Sequence, residues 1–194
     1  MEPAARVTHT IDPVFNEKSR ILILGTMPSP RSREEGFFYG HPQNRFWRVM
    51  ERIFALPPAS LVDCDARIGF LLDRRIALWD VLASCRIEGA SDASISDPIP
   101  NDLSPILDAA TIELVCTTGG KAAALCKRFH RRELARRGIE LSHLPSTSPA
   151  NARMSLDDLV VAYERALAPL LAPHKETVAV VERSGRGAGA TGGA

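Results

Sequence analysis

With 194 residues, 45% of them hydrophobic and 24% charged, the chain is long enough for one ordinary globular domain with a proper core. Its 24 Lys and Arg against 23 Asp and Glu leave a net charge of +1, which excludes a global field for nucleic acid and leaves any such binding to local clusters. The four cysteines, Cys64, Cys85, Cys116 and Cys126, have neither C-x-x-C nor zinc spacing. They read as scattered thiols in a reducing compartment, and an iron–sulfur cluster lacks its ligand spacing.

The opening "MEPAARVTHTIDPVF" has no apolar segment of the kind a signal peptide needs, and nothing downstream approaches membrane-spanning length. The chain reads as cytoplasmic, and in a bacterium as nucleoid-associated, with no membrane partner. Residues 1–19 form a polar lead-in. A single domain is expected over residues 20–173, followed by a Gly/Ala-rich tail, 174–194, too poor in apolar surface to offset its ordering entropy.

The unbroken apolar run Ile21-Leu22-Ile23-Leu24 predicts a buried strand over Arg20–Gly25. "TMPSPRS" follows as a loop stiffened by Pro28 and Pro30. After the aromatic cluster Phe37-Phe38-Tyr39, a helix opens at Pro42-Gln43-Asn44. Phe46, Trp47, Met50, Ile53 and Phe54 form its apolar face, and Pro57-Pro58 stops it. A second helix is expected over Leu61–Arg74 and a second strand over Ile76–Leu82. Ala83 to Pro105, with three prolines and many Ser and Asp, reads as a long functional loop.

A short helix over 106–110 leads to a third strand, Ile112–Thr118, and Gly119-Gly120 turns the chain into the helix "KAAALCKRFHRRELA". Ile139–Leu144 is the fourth strand and "PSTSPANARM" the second stiff loop. The capping-box pattern Ser155-Leu156-Asp157-Asp158 opens a last helix with Leu156, Leu159, Val160, Tyr163, Leu167 and Leu170 on one face. Alternation of strands and helices makes this an α/β chain whose parallel sheet is covered on both faces. Right-handed crossovers then put the loops after strands one, three and four on one sheet edge, where such folds place their chemistry.

No G-x-G-x-x-G or Walker A pattern follows the first strand, and no G-x-S-x-G elbow exists. Ser29 as a nucleophile would lack a histidine–acid pair. An unrelated α/β hydrolase therefore has no visible machinery. The hydroxyl-rich "LPSTSPANAR" is either a plain strand-to-helix connection or a phosphate grip made by Ser146, Thr147, Ser148, Asn151 and Arg153. Lys121–Arg137 carries seven basic residues against Glu133, a solvated helix face except for Lys121, which stands at the helix start where a phosphate could meet it. Tyr39 is core or a stacking plate for a flat ring. His41 reads as a loop histidine or a catalyst, and Asp80 and Asp92 as surface turn acids.

Together the runs "ILILGTMPSPRSREEGFFYGHPQNRFWRVM" and "LPSTSPANAR" resemble the uracil-DNA glycosylase superfamily, nearest its mismatch-specific uracil and DNA-deoxyinosine (hypoxanthine) glycosylases. The likeness covers about Arg20 to Leu171. It implies a three-layer α/β/α sandwich around a four-stranded parallel sheet. It also implies a monofunctional enzyme that flips a deaminated base from DNA and hydrolyses its N-glycosidic bond. No cofactor and no metal are implied.

The resemblance places Gly25, Thr26, Met27, Pro28 and Ser29 on a water-activating, base-holding loop, and Tyr39 against the flipped base. Leu144 to Ser148, with Ser146, Thr147 and Ser148, fall on a loop that presses into the duplex or holds phosphates, and the residue reading adds Asn151, Arg153 and Lys121 as DNA contacts. Met27 and Leu144 stand where many members carry Asp or Asn and His or Asn. The resemblance therefore moves the catalytic polar group to Asn44 of "HPQNRFW", with His41 beside it. The expected partner is DNA bearing uracil or hypoxanthine, acted on by a monomer. The competing class is a catalytically retired DNA-lesion or single-strand-binding module, for which Met27 and Leu144 speak.

Overall fold

A computed structural model describes residues 5–171. The expected Gly/Ala-rich tail lies outside them. Four parallel strands, β2 (Ile21–Gly25), β3 (Ile76–Asp80), β6 (Leu114–Thr118) and β7 (Glu140–Leu144), make a sheet in the order β3-β2-β6-β7. The registers run in step, with Gly25 opposite Asp80 and Leu24 opposite Thr117. The strand ends therefore finish on one edge.

Alternation along the strands feeds two cores, one on each face. Ile21, Ile23, Ile76, Leu78 and Cys116 face a cluster that includes Phe46, Trp47, Met50, Leu71 and Tyr163. These come from helices α2 (Phe46–Ile53), α3 (Cys64–Asp73) and α7 (Leu156–Leu171). Leu22, Leu24, Ala77 and Val115 face the other cluster, with Leu103, Ile106, Leu125, Cys126 and Leu134. That layer holds α4 (Ser104–Ala109), α5 (Gly120–Phe129) and α6 (Arg131–Arg136). The three-layer α/β/α sandwich is thus present, with Phe46 and Trp47 as core.

Several elements differ from expectation. Residues 83–105 are not one long loop. β4 (Leu82–Arg86) and β5 (Ser96–Pro100) pair antiparallel, and β1 (Arg6–Thr8) adds to β4, giving a three-stranded side sheet in the order β1-β4-β5. The polar composition that suggested a loop belongs mostly to the β4–β5 connection and to β5, whereas β4 is buried or half-buried. The polar lead-in therefore has structural work: beyond β1, Val14 bridges Leu78 on the edge of the main sheet.

A short helix, α1 (Pro30–Glu35), replaces part of the stiff loop. Ser29 caps it by accepting from Ser32 N, Pro30 opens it, and Gly36 closes it at φ 68°. The helix at "HPQN" starts later than expected, at Phe46, with Arg45 as its N-cap, and Asn44 Oδ1 accepts from Phe46 N in a local side-chain turn just before it. The basic helix breaks at His130 into α5 and α6.

Candidate active site

A cleft of about 680 Å³ opens at the C-terminal edge of the sheet. The loop after β2 contributes Gly25 to Ser29, and the turn before α2 contributes Tyr39 and Asn44. The end of β3 adds Asp80, the end of β6 Thr118, and the loop after β7 Ser146 to Ser148, Asn151 and Arg153. Ser91 and Asp92 from the side sheet close the rim. The two proline-stiffened loops do converge. Gly119, at φ 92°, lets the turn after β6 pack against the second of them, since a Cβ there would sit 3.3 Å from Ser146 Cβ.

Asn44 is held from both sides. Its Oδ1 accepts from the Thr147 hydroxyl at 2.8 Å and from Phe46 N at 3.0 Å. Thr147 is buried, 1% exposed. Asn44 lines the cleft, and with its carbonyl oxygen occupied twice the end of the amide left without a protein partner among the described residues is the Nδ2 donor. Arg45 locks the same junction. Its backbone N–H and Nε both donate to Thr147 O, its guanidinium reaches Ser148 O and Asn151 O at 2.9 Å each, and it also donates to Met154 O. A fork-shaped cation satisfying this many loop carbonyls fixes the second loop against α2. Tyr163 adds a further tie, donating to Pro145 O at 2.9 Å.

Tyr39 sits at φ 53° with one ring face stacked on Phe46, centroids 4.0 Å apart and planes at 12°. Its hydroxyl is 3.0 Å from Thr118 Oγ1. Burial, and next the charge of Asp80, push its pKa up, so it stays a neutral phenol. Ser29 is a helix cap and has no histidine partner, so the nucleophile idea has no geometric footing. Met27 lines the cleft from the same loop.

Of the two acids read as surface turn residues, Asp80 is buried at a strand end and Asp92 does stand in an exposed turn. Asp80 is 5% exposed and its Oδ2 lies 2.9 Å from His9 Nε2. His9 Nδ1 accepts from Ile11 N, so Nε2 carries the proton and donates to Asp80. His9 packs against Phe38 and Trp79, and the backbone O of Asp80 accepts from Asn101 Nδ2. The other carboxylate oxygen, Oδ1, reaches over Gly25 into the space that a Cβ at that position would occupy. Asp92 stands exposed on the rim, but its carboxyl turns inward to accept from Thr26 Oγ1 at 3.0 Å. Desolvation pushes its pKa up, against the pull of Thr26 and Lys121.

The other sequence candidates divide between the cleft wall and positions outside it. His41 is exposed, accepts from Gln43 N through Nδ1, and is not in the cleft wall; it shapes the turn that delivers Asn44. Lys121 stands in the first turn of α5 outside the wall, close enough to Asp92 to favour its charged form. Asn151 spends its amide on Ser146 O, and Ser146 Oγ accepts from Ser148 N, so both brace the loop. Arg153 lines the cleft and is exposed. Leu144 is core, 1% exposed.

His9 was missed because nothing near it in sequence marks it. Asp80 had a signal, its place at the C-terminal end of a parallel strand, where such folds gather ligand-contacting groups. Among the described residues no group of three or more His, Cys, Asp and Glu could hold a metal ion, and no helix is long and apolar enough to cross a membrane.

A parallel sheet covered on both faces, with a cleft at its carboxyl edge, is where α/β enzymes place their ligands. The family model of the uracil DNA glycosylase superfamily matches residues 13–168, and the chain belongs to that superfamily, as a DNA glycosylase by class. It is 34% identical over 145 residues to a hypoxanthine DNA glycosylase of Methanosarcina acetivorans, covering 73% of this chain and 87% of the relative. A hypoxanthine DNA glycosylase of Methanosarcina barkeri is 34% identical over 142 residues, covering 73% and 86%. The solution NMR structure of a "putative Uracil DNA glycosylase" from Methanosarcina acetivorans superposes with a TM-score of 0.71 at 30% identity, covering 85% of this chain and 99% of that one.

Proposed function

We propose that this chain is a monofunctional glycosylase that takes a deaminated base out of DNA, hypoxanthine or uracil, and hydrolyses its N-glycosidic bond to leave an abasic site for base excision repair. The observation that carries the reading is the Asn44 amide at the cleft wall, fixed by Thr147 and Phe46 with its donor end left without a protein partner among the described residues. Both bases present a carbonyl oxygen where their parents carry an amine. A fixed N–H donor favours that oxygen and would meet unfavourably the N–H of the parent amine. The two relatives named for hypoxanthine favour the purine.

Bond cleavage leaves positive charge on the sugar and negative charge on the departing base. Asn44 Nδ2 stabilises the base oxygen as that charge grows, and it does so without reorganising, because both partners of its Oδ1 are protein groups. Tyr39, backed by Phe46, offers a ring to the extruded base, worth about 1–3 kcal/mol of stacking in comparable sites. The Ser146–Ser148 loop and Arg153 grip the flanking backbone, offsetting a flipping cost of about a few kcal/mol. Leu144 lends no weight to a binding-only module, since its side chain is core.

The test uses labelled duplexes and single strands with one hypoxanthine, uracil or xanthine, incubated with protein and then treated with alkali. Strand breaks at hypoxanthine or uracil, absent without protein, are the expected result. Retention of lesion DNA without breaks would instead establish the binding module.

A further inference from the structure

Resting on that glycosylase reading, we infer that Asp80, oriented by His9, is the carboxylate that activates the attacking water, supplied from β3 in place of the loop after β2. The loop after β2 offers Met27 where an acid would be needed, and Met27 cannot accept a proton. Asp80 can. It is buried at the cleft wall, one oxygen is satisfied by His9, and the other overhangs Gly25 with no protein partner among the described residues. Gly25 is the residue type this arrangement requires, because any side chain there would fill the place of Oδ1. Carboxylates that serve only structure are normally bonded through both oxygens.

The step balances as hydrolysis. The C1′–N bond breaks with its electron pair going to the base, whose oxygen Asn44 holds. Water attacks C1′ as Asp80 Oδ1 takes one of its protons, and that proton is then passed on to the departed base. The negative charge of Asp80 also favours the cationic sugar. His9 is a positioning residue: it holds the carboxylate in one rotamer and donates to Oδ2, leaving Oδ1 for water. The ionisable groups facing Asp80 are His9 from the lead-in, Tyr39 from the turn before α2, and Asp92 from the side sheet.

The experiment measures single-turnover excision of hypoxanthine and uracil, alongside affinity for a duplex with a tetrahydrofuran abasic analogue. For Asp80→Asn we expect a rate loss of about 100-fold or more with affinity within about threefold of wild type. His9→Gln, which keeps an N–H donor, should hold most of the rate, whereas His9→Phe should lose about tenfold or more.

An Asp80→Asn rate within about threefold of wild type overturns the assignment while leaving the glycosylase reading intact. So does equal loss in His9→Gln and His9→Phe, which would mark the pair as structural. A wild-type protein that cuts at no lesion overturns the glycosylase reading, and this assignment with it. Should Asp80→Asn fail to fold, the His9 pair decides: His9→Gln holding the rate that His9→Phe loses, at unchanged affinity for the abasic analogue, supports the assignment, and equal loss overturns it.

Discussion

Thr147 Oγ1 donates a 2.8 Å hydrogen bond to Asn44 Oδ1 across 103 residues of chain. This bond ties the turn before α2 to the loop after β7, and it occupies the oxygen end of the Asn44 amide. Removing the hydroxyl should let the amide turn over. Thr147→Val is expected to cut single-turnover excision about tenfold or more, with Thr147→Ser recovering most of it. Rates for the pair of variants, each checked for folding by circular dichroism, test this.

Arg45 carries a larger structural burden, since its side chain satisfies carbonyls at Thr147, Ser148, Asn151 and Met154. A lysine cannot span that set. Arg45→Lys should lower stability by about 2–4 kcal/mol, because several part-buried acceptors lose a charged donor together. Denaturant unfolding of both proteins measures the difference, and a loss below about 0.5 kcal/mol would contradict the bracing role.

Gly25→Ala asks whether the close approach of β3 to the first loop matters. The new methyl group would collide with Asp80 Oδ1, and Asp80 cannot swing aside without leaving His9. Excision should fall about 100-fold or more, and the melting temperature should drop as well. A variant with wild-type rate would show that the carboxylate has room to move.

Stability against pH has a defined sign at His130. Burial pulls its pKa below the ordinary 6.5, and its Nε2 has no partner. The unfolded chain therefore takes up a proton that the native chain resists. The full contribution is present above about pH 6.5 and is lost as the pH falls below it. His130→Phe should flatten that part of the stability curve, measured as melting temperature from about pH 7.5 to about pH 5.

The elements built on strong local patterns were legible. The four-residue apolar run of β2, the aromatic stripe of α2 and the proline-stiffened loops each carry their own signal, and strand–helix alternation then dictates the shared edge. What stayed hidden depends on contacts distant in sequence. His9 gains meaning only when Val14 pairs with Leu78 and brings the lead-in alongside β3. Asp80 reads as a turn acid until its strand is seen to end beside Gly25. The side sheet went unseen because Ser96–Pro100 contains two prolines and lies exposed at an edge, which weakens any strand pattern. α1 had a readable start in Ser29-Pro30, but its six residues are too few to show helical periodicity.

The central claim is that a fixed amide at position 44 drives release of a deaminated base. Single-turnover excision from a hypoxanthine-containing duplex by wild type and Asn44→Ala tests it most directly. The expected result is efficient alkali-labile cleavage by wild type and a rate lower by about 100-fold or more in the variant, with duplex binding retained. Equal rates in the two proteins would contradict it.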